Sequence, residues 1–219
     1  MRWKDFRQLD DLMEVLPGYR SLTEAEVQSV AKVQSAKTGI SFEKCAFFYR
    51  TLSEMNPTYW ERELRKLIDE QEAMMFICSM SARADSGAMW GLYAERHQGI
   101  VFGVGPVLER ICAHKMILTR EVLYDETRPQ LAIPVVDKNV LLAAVRTKSR
   151  DWDYQVEWRL ISPEVQNWPL KREEVAEIIV GYKAAPDILE LALTYRADGT
   201  RVFQAYPDPK RHIMALKLV

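Results

Sequence analysis

The chain has 219 residues, of which 48% are apolar, so it can bury a substantial core within one large domain. Its thirty lysine and arginine side chains are balanced by thirty-one aspartate and glutamate side chains. This balance leaves no excess of positive charge to hold nucleic acid or an anionic membrane non-specifically, so net charge does not support nucleic acid as a partner.

The first third of the sequence predicts three amphipathic helices. Ser21 and Glu24 resemble a capping box at the start of the first helix, and Gly39 can end that helix in a left-handed conformation. Ser41 can cap a second helix, and the pair Asn56-Pro57 provides a cap and a first-turn proline for a third. We therefore expect three helices before the first strand.

The hydrophobic period changes after residue 73, where short apolar runs alternate with capped helical segments. The predicted strands are 74–79, 100–104, 122–124, 152–159, 175–180, 200–206 and 213–219, and the predicted helices begin at Ser86, Pro106, Asp137 and Pro186. The helix that begins at Ser86 is predicted to place Trp90, Tyr93, Ala94 and His97 on one face and to end at Gly99. This order predicts an α+β fold, with a helical N-terminal third followed by a mixed, largely antiparallel sheet and flanking helices. No linker or repeat divides the chain, so we expect a single domain over 1–219, helical over 1–73 and sheet-containing over 74–219.

The segment Trp152–Arg159 carries the strongest functional signal. Side chains alternate between the two faces of a strand, so Gln155, Glu157 and Arg159 would share one face and Tyr154 would lie on the apolar one. Glu157 and Arg159 would then be close enough for an ion pair or for joint action on a ligand. The sequence predicts a site on this strand without naming its substrate.

A spaced pattern of residues connects this segment to an earlier part of the chain. It consists of Cys78-Ser79-Met80-Ser81, Asp85, Met89-Trp90, Tyr93-Ala94, His97, Gly99, Lys148, Trp152, Tyr154, Glu157, Trp158, Arg159 and Ile178-Ile179-Val180-Gly181. The pattern resembles a bacterial family of domains of unknown function, the family numbered 2971, and this implies a fold without implying an activity. Two features depart from the family. Gln155 stands where the family usually has glutamate, and the family's opening Tyr-Arg strand and the Asn-Asp-Pro segment after it are not recognisable, since Tyr19-Arg20-Ser21 is displaced from that position.

A second resemblance suggests chemistry. Gln155-Val156-Glu157 is similar to the Gln/Glu-x-Glu element of mono-ADP-ribosyltransferases of the Arg/Ser/Glu class, and Ser79-Met80-Ser81 is similar to their Ser-Thr-Ser element. The resemblance implies NAD as co-substrate, with Glu157 stabilising the oxocarbenium-like ribose as nicotinamide leaves and Gln155 orienting the acceptor. The acceptor itself, whether macromolecular or small, is not specified.

The same resemblance implies roles for the neighbouring side chains. Ser79 and Ser81 would brace the nicotinamide pocket, and Trp90 or Tyr93 would stack on the ring. An arginine would hold the pyrophosphate, but Arg20 and Arg50, which precede the serines, are predicted in a turn and a helix, whereas the class places this arginine on a strand.

The remaining site candidates and the alternatives concern charge and packing. Lys148 could meet a phosphate, although a solvated basic edge is the simpler interpretation, and Trp90 and Tyr93 at helical spacing are also typical of core packing. Glu157 and Arg159 could equally form a plain structural ion pair. Three classes therefore stay open: an NAD-using enzyme, a non-catalytic module that binds a protein or nucleotide, and an inactive family member.

The cysteines and the start of the chain predict its location. Cys45, Cys78 and Cys112 are widely spaced in apolar surroundings, as expected for reduced thiols, and no histidine or cysteine spacing predicts a metal site. The start lacks a secretory signal and no stretch of about 18 apolar residues could span a membrane, so we expect a cytoplasmic protein without a membrane partner.

Overall fold

The computed structural model describes a set of residues that falls into two compact units. The described residues are 4–5, 17–55, 59–60, 62–63, 66, 76–105, 110, 113, 117–134, 137–163 and 170–219. The first unit comprises 1–4, 75–122 and 151–219, and the second comprises 5–74 and 123–150. The expectation of a single domain stays a prediction.

The described elements confirm the α+β fold class. The helices are α1 (Glu24–Thr38), α2 (Phe42–Ser53), α3 (Gly87–Tyr93), α4 (Lys138–Arg146) and α5 (Pro186–Leu193). The strands are β1 (Lys4–Asp5), β2 (Gly18–Ser21), β3 (Phe76–Ser81), β4 (Ile100–Gly103), β5 (Leu118–Glu121), β6 (Leu123–Tyr124), β7 (Gln130–Ile133), β8 (Thr147–Lys148), β9 (Glu157–Ser162), β10 (Glu177–Val180), β11 (Arg201–Pro207) and β12 (Met214–Leu218). None of the helices in these ranges is both long and apolar enough to cross a membrane.

The first unit contains two four-stranded sheets. One has the strand order β1-β3-β9-β5, and β9 runs antiparallel to both β3 and β5. Cys78 and Leu160 on one face pack with Ile117, and Ile77 and Ile161 on the opposite face are also buried. The other sheet has the order β12-β11-β10-β4, with one parallel pair between β10 and β11.

Helices cover both faces of this second sheet because successive residues of β10 point to opposite sides. Ile179 packs with Trp90 and Ala94 around α3, whereas Ile178 and Val180 pack with Ala192 of α5. Because both faces of β10 are buried, the strand contains the continuous apolar run Ile178-Ile179-Val180.

The second unit is built on a pair of helices and two short parallel strand pairs, β2 with β7 and β6 with β8. The capping box of α1 is formed by Thr23 and Glu26 rather than by the predicted Ser21 and Glu24, and Ser21 instead ends β2. Gly39 ends α1 with a φ of 72°, and Ser41 caps α2, as predicted. The predicted start of a third helix at Asn56-Pro57 lies outside the described residues, and so do Pro106 and Cys112.

The chain after α3 departs from the prediction. Helical spacing places His97 on the same helix as Trp90, but α3 ends at Tyr93, and Glu95, Arg96 and His97 all have positive φ. Three consecutive non-glycine residues in this region form a left-handed turn, which needs support from its surroundings. The support comes from 181–183, where the Gly181 N–H donates to the Gly99 carbonyl and the Lys183 N–H donates to the His97 carbonyl, both at 2.9 Å.

Candidate functional site

The two elements that the sequence singled out lie on adjacent strands. In the antiparallel pairing of β3 with β9, Ser79 is opposite Arg159 and Ser81 is opposite Glu157. Directly opposite residues share a face of the sheet, so all four side chains are on one face. The sequence predicted the two motifs separately, and the strand register brings them together.

Glu157 and Arg159 form a buried ion pair at the centre of this face. The Arg159 Nε donates to Glu157 Oε1 at 2.8 Å, and the residues are 0% and 4% exposed, respectively. Alternation along β9 places both on the same side, which is the arrangement predicted from sequence. The guanidinium therefore fixes the orientation of the carboxylate.

Gln155 is not on the strand that was predicted to carry it. Residues Arg150–Gln155 form a 3-10 helix, Val156 has a φ of 43°, and β9 begins only at Glu157. A β-branched residue in this conformation is disfavoured, so the turn is held in place by its neighbours. One neighbour is Tyr93, whose hydroxyl accepts a hydrogen bond from the buried Gln155 Nε2 at 3.0 Å.

The two serines have different environments. The Ser81 hydroxyl donates to the Gln155 carbonyl at 2.6 Å and accepts from the Arg83 N–H at 3.0 Å, so it ties the end of β3 to the turn before β9. Ser79 is exposed, and its hydroxyl makes no hydrogen bond within the described part of the chain. Ser79 is thus the serine that presents its hydroxyl to solvent.

The two aromatic candidates, Trp90 and Tyr93, also differ in their exposure. Trp90 is 2% exposed, packs in the core with Ile179, and its Nε1 donates to the Ala84 carbonyl at 2.8 Å. It leaves no ring face for a ligand in this structure. Tyr93 is 48% exposed while its hydroxyl contacts Gln155, so its ring is the one that a ligand could stack on.

The other predicted site residues lie on other elements. Tyr154 is in the 3-10 helix before β9, with its ring centroid 6.2 Å from that of Trp152. Lys148 is a buried residue of β8 in the second unit. Tyr154 is therefore not on the strand that carries Glu157.

The two arginines considered for pyrophosphate belong to the second unit. Arg20 lies on β2 rather than in a turn, and both of its terminal nitrogens donate to the Glu26 carboxylate. Arg50 lies on α2 as predicted, and its Nη2 donates to Glu24 Oε1 at 2.6 Å. Each guanidinium is therefore engaged by a carboxylate of its own unit.

A second arginine on the site face, beside Arg159, was not predicted from the sequence. Arg120 on β5 is directly opposite Arg159, on the side of β9 away from Ser79. Its Nη1 donates to the Thr119 carbonyl at 2.8 Å, and it has no carboxylate partner among the residues that the structure describes. Arg120 lies just before the predicted strand 122–124, so no sequence signal placed it on a strand.

Potential metal ligands and cysteine thiols form no reactive cluster within the described ranges. Within the described ranges, no group of three or more histidine, cysteine, aspartate or glutamate residues is placed to hold a metal ion. Cys78 lies on the opposite face of β3 from the serines, and burial raises the pKa of its thiol, which disfavours the reactive thiolate. Cys78 is therefore a packing residue.

Comparisons with known proteins give no match: no family model, no curated protein and no solved structure is significantly similar to the chain.

Proposed function

We propose that the protein is an ADP-ribosyltransferase-like enzyme that cleaves NAD at the bond between nicotinamide and ribose. The observation that carries the proposal is the register of β3 and β9, which sets Ser79 and Ser81 opposite Arg159 and Glu157 on one face. Two motifs that are far apart in the chain lie on adjacent strands there, which supports a shared role. The resemblance to ADP-ribosyltransferases supplies the identity of the substrate.

The proposed reaction uses the carboxylate as an electrostatic partner. The bond between ribose C1′ and the nicotinamide nitrogen breaks, and its electron pair leaves with nicotinamide. The oxocarbenium-like ribose that forms is positively charged, and the Glu157 carboxylate stabilises it. An acceptor nucleophile, or water in simple hydrolysis, then attacks C1′ and forms the new bond, and its proton passes to solvent.

The surrounding side chains have supporting roles in this scheme. Arg159 orients Glu157 through the 2.8 Å contact between Nε and Oε1. Gln155 holds the Tyr93 hydroxyl, and the exposed Tyr93 ring stacks on nicotinamide. Gln155 precedes β9, and its side-chain amide donates to the Tyr93 hydroxyl. An acceptor that is oriented by Gln155 would therefore lie next to Tyr93.

A second candidate is a non-catalytic module that binds a nucleotide or a protein. An inactive relative of ADP-ribosyltransferases is grouped with it, because it would also bind without reacting. It is favoured by the burial of Glu157, which is 4% exposed and paired with a fully buried arginine. A carboxylate engaged in this way is typical of structural ion pairs as well as of active sites. In this case the face would bind its ligand and release it unchanged.

The test is NAD binding and nicotinamide release by the purified full chain, with bacterial lysate as a source of acceptors. Glu157→Gln keeps the shape of the side chain and removes its charge, so we expect it to abolish release while NAD still binds. The matched control is Glu121→Gln, the same substitution on the adjacent strand, where Glu121 is exposed and opposite Trp158.

The outcomes separate the two candidates. Release that depends on Glu157 and not on Glu121 supports the enzyme. Binding of NAD without release by the wild type favours the binding module, and full release by Glu157→Gln removes this residue from the mechanism. Each variant is compared by thermal unfolding, so that loss of structure is not mistaken for loss of chemistry.

A further inference from the structure

We propose that two copies of the chain associate by pairing their α2 helices in antiparallel orientation. The contact surface is the exposed face of α2, which consists of Lys44, Phe47, Phe48, Thr51 and Glu54. Helix α2 belongs to the second unit, whereas the site on β3 and β9 belongs to the first. The inference therefore does not depend on the proposed function.

The two faces of α2 have different surroundings. Cys45 and Ala46 are buried and pack with Val27 of α1. The helical period places the exposed face on the opposite side, where Phe47 is 67% and Phe48 is 55% exposed. Large apolar side chains that are grouped on a water-facing surface are typical of an interaction site. The outer face of α2 is thus available to a partner.

The charges at the two ends of this face oppose the dipole of their own helix. Ser41 caps the first turn, which contains Lys44, and Glu54 is the C-cap residue. A helix N-terminus favours anions and a C-terminus favours cations, so both charges are at the less favourable end. Arg50, one turn before Glu54, donates to Glu24 of α1. An antiparallel partner brings the opposite end of a second helix beside each charge and removes this disadvantage.

A two-fold axis beside residue 49 satisfies both ends at once. Lys44 of each copy is then level with Glu54 of the other, and Phe47 is level with Thr51. The two Phe48 residues are offset by only about 3 Å along the helix axis, because each residue advances a helix by about 1.5 Å. A parallel partner would set lysine against lysine and glutamate against glutamate, which is repulsive. The order of charges therefore selects the antiparallel pair.

A second copy fits this face better than a membrane surface. Helices that lie on membranes carry mostly lysine and arginine beside their apolar face, whereas this face carries one base and one acid. The two charges, Lys44 and Glu54, are equally distant in sequence from residue 49, with the phenylalanines between them. Such a face is complementary to itself, as a two-fold interface requires.

The size of the face predicts a weak dimer. At their exposed fractions, Phe47 and Phe48 of one copy present roughly 250 Å² of apolar surface. Two copies then cover roughly 500 Å² from these rings, compared with about 1,200 Å² or more in a stable interface. The flanking polar residues add to the contact without closing this difference. We therefore expect a monomer at low micromolar concentration and a dimer as the concentration rises.

The experiment measures self-association of the full chain by sedimentation velocity, from low micromolar to millimolar concentration. We expect Phe47→Ser to raise the dissociation constant about tenfold or more, because a central aromatic side chain is lost. The matched control is Leu191→Ser, which removes an apolar side chain that is 60% exposed on α5. This control should leave the dissociation constant unchanged.

Charge reversal tests the orientation of the pair. Lys44→Glu sets two acids against each other at each end, and Glu54→Lys sets two bases against each other, so each should weaken association several-fold. The double variant restores opposite charges and should recover the affinity of the wild type. Both reversals agree with the helix dipole, so neither should unfold α2, which circular dichroism checks.

The outcomes decide the inference. Dimerisation that Phe47→Ser abolishes and that the double reversal restores supports the antiparallel pair. It is overturned by a monomer at every concentration, by a double variant that associates no better than the single ones, or by equal weakening in Leu191→Ser. Binding of the monomer to vesicles of phosphatidylcholine and phosphatidylserine, with loss of binding in Phe47→Ser, would assign the face to a membrane and reject the dimer.

Discussion

Gly181→Ala provides a sharp test of the contact between the left-handed turn and the end of β10. A Cβ added at Gly181 would be 2.2 Å from the His97 carbonyl oxygen and 2.9 Å from that of Gly99. Both atoms are backbone, and two hydrogen bonds, from Gly181 N–H and Lys183 N–H, hold them at 2.9 Å. The backbone must separate to admit the methyl group, so these bonds are strained or broken.

The expected loss of stability is about 3 to 5 kcal/mol, composed of about 1 kcal/mol for each hydrogen bond and about 1 to 3 for overpacking. In a chain of this size this lowers the melting temperature by about 10 °C, measured by circular dichroism. The matched control is Gly87→Ala in the first turn of α3, where an added Cβ meets no atom within 4 Å. That variant should unfold within a few degrees of the wild type. An equally small decrease for Gly181→Ala would show that the contact between the turn and the end of β10 is not rigid.

Two further predictions concern ion pairs. Arg159→Met leaves the buried Glu157 without its arginine, so it should cost about 3 to 5 kcal/mol in urea unfolding, and adding Glu157→Gln should recover part of the loss. No recovery in the double variant would show that the pair is not coupled. The hydrogen bond from Arg20 lowers the pKa of Glu26 from 4.5 to about 2, so the stability that this carboxylate contributes is present above about pH 4.5 and is lost as the pH falls toward 2. Glu26→Gln should therefore lose less stability than the wild type over that range in denaturant titrations, and an unchanged acid dependence would contradict the assignment.

Local signals predicted the elements that depend on neighbouring residues. Gly39, Ser41 and Ser86 act at helix ends through the conformation or side-chain oxygen of one residue, and the structure places all three where the sequence predicted. The pairing of Glu157 with Arg159 was equally local, because two residues on one strand face meet whatever the rest of the sheet does. Such features need no long-range information.

The missed features depend on contacts between distant parts of the chain. The left-handed turn at His97 exists because Gly181 and Lys183 hold its carbonyl groups, and helical spacing alone could not reveal it. Gln155 was placed on the strand because alternation continued through Val156, whereas a positive φ at that residue interrupts it. Arg120 was overlooked because only the register of β5 against β9 puts it beside the site.

The choice between the two candidate functions depends on whether a ligand can reach the Glu157 carboxylate. A buried ion pair resists the approach of a ligand, since breaking it separates Arg159 from the Glu157 carboxylate. An enzyme must therefore use Glu157 while Arg159 still holds it, with the ligand approaching along the exposed Ser79 and Tyr93. In that geometry the arginine positions the carboxylate instead of competing with the substrate, and the developing charge on ribose meets a carboxylate whose orientation is already fixed. A binding module needs no such access, so Glu157→Gln would alter its stability and leave its affinity for the ligand unchanged.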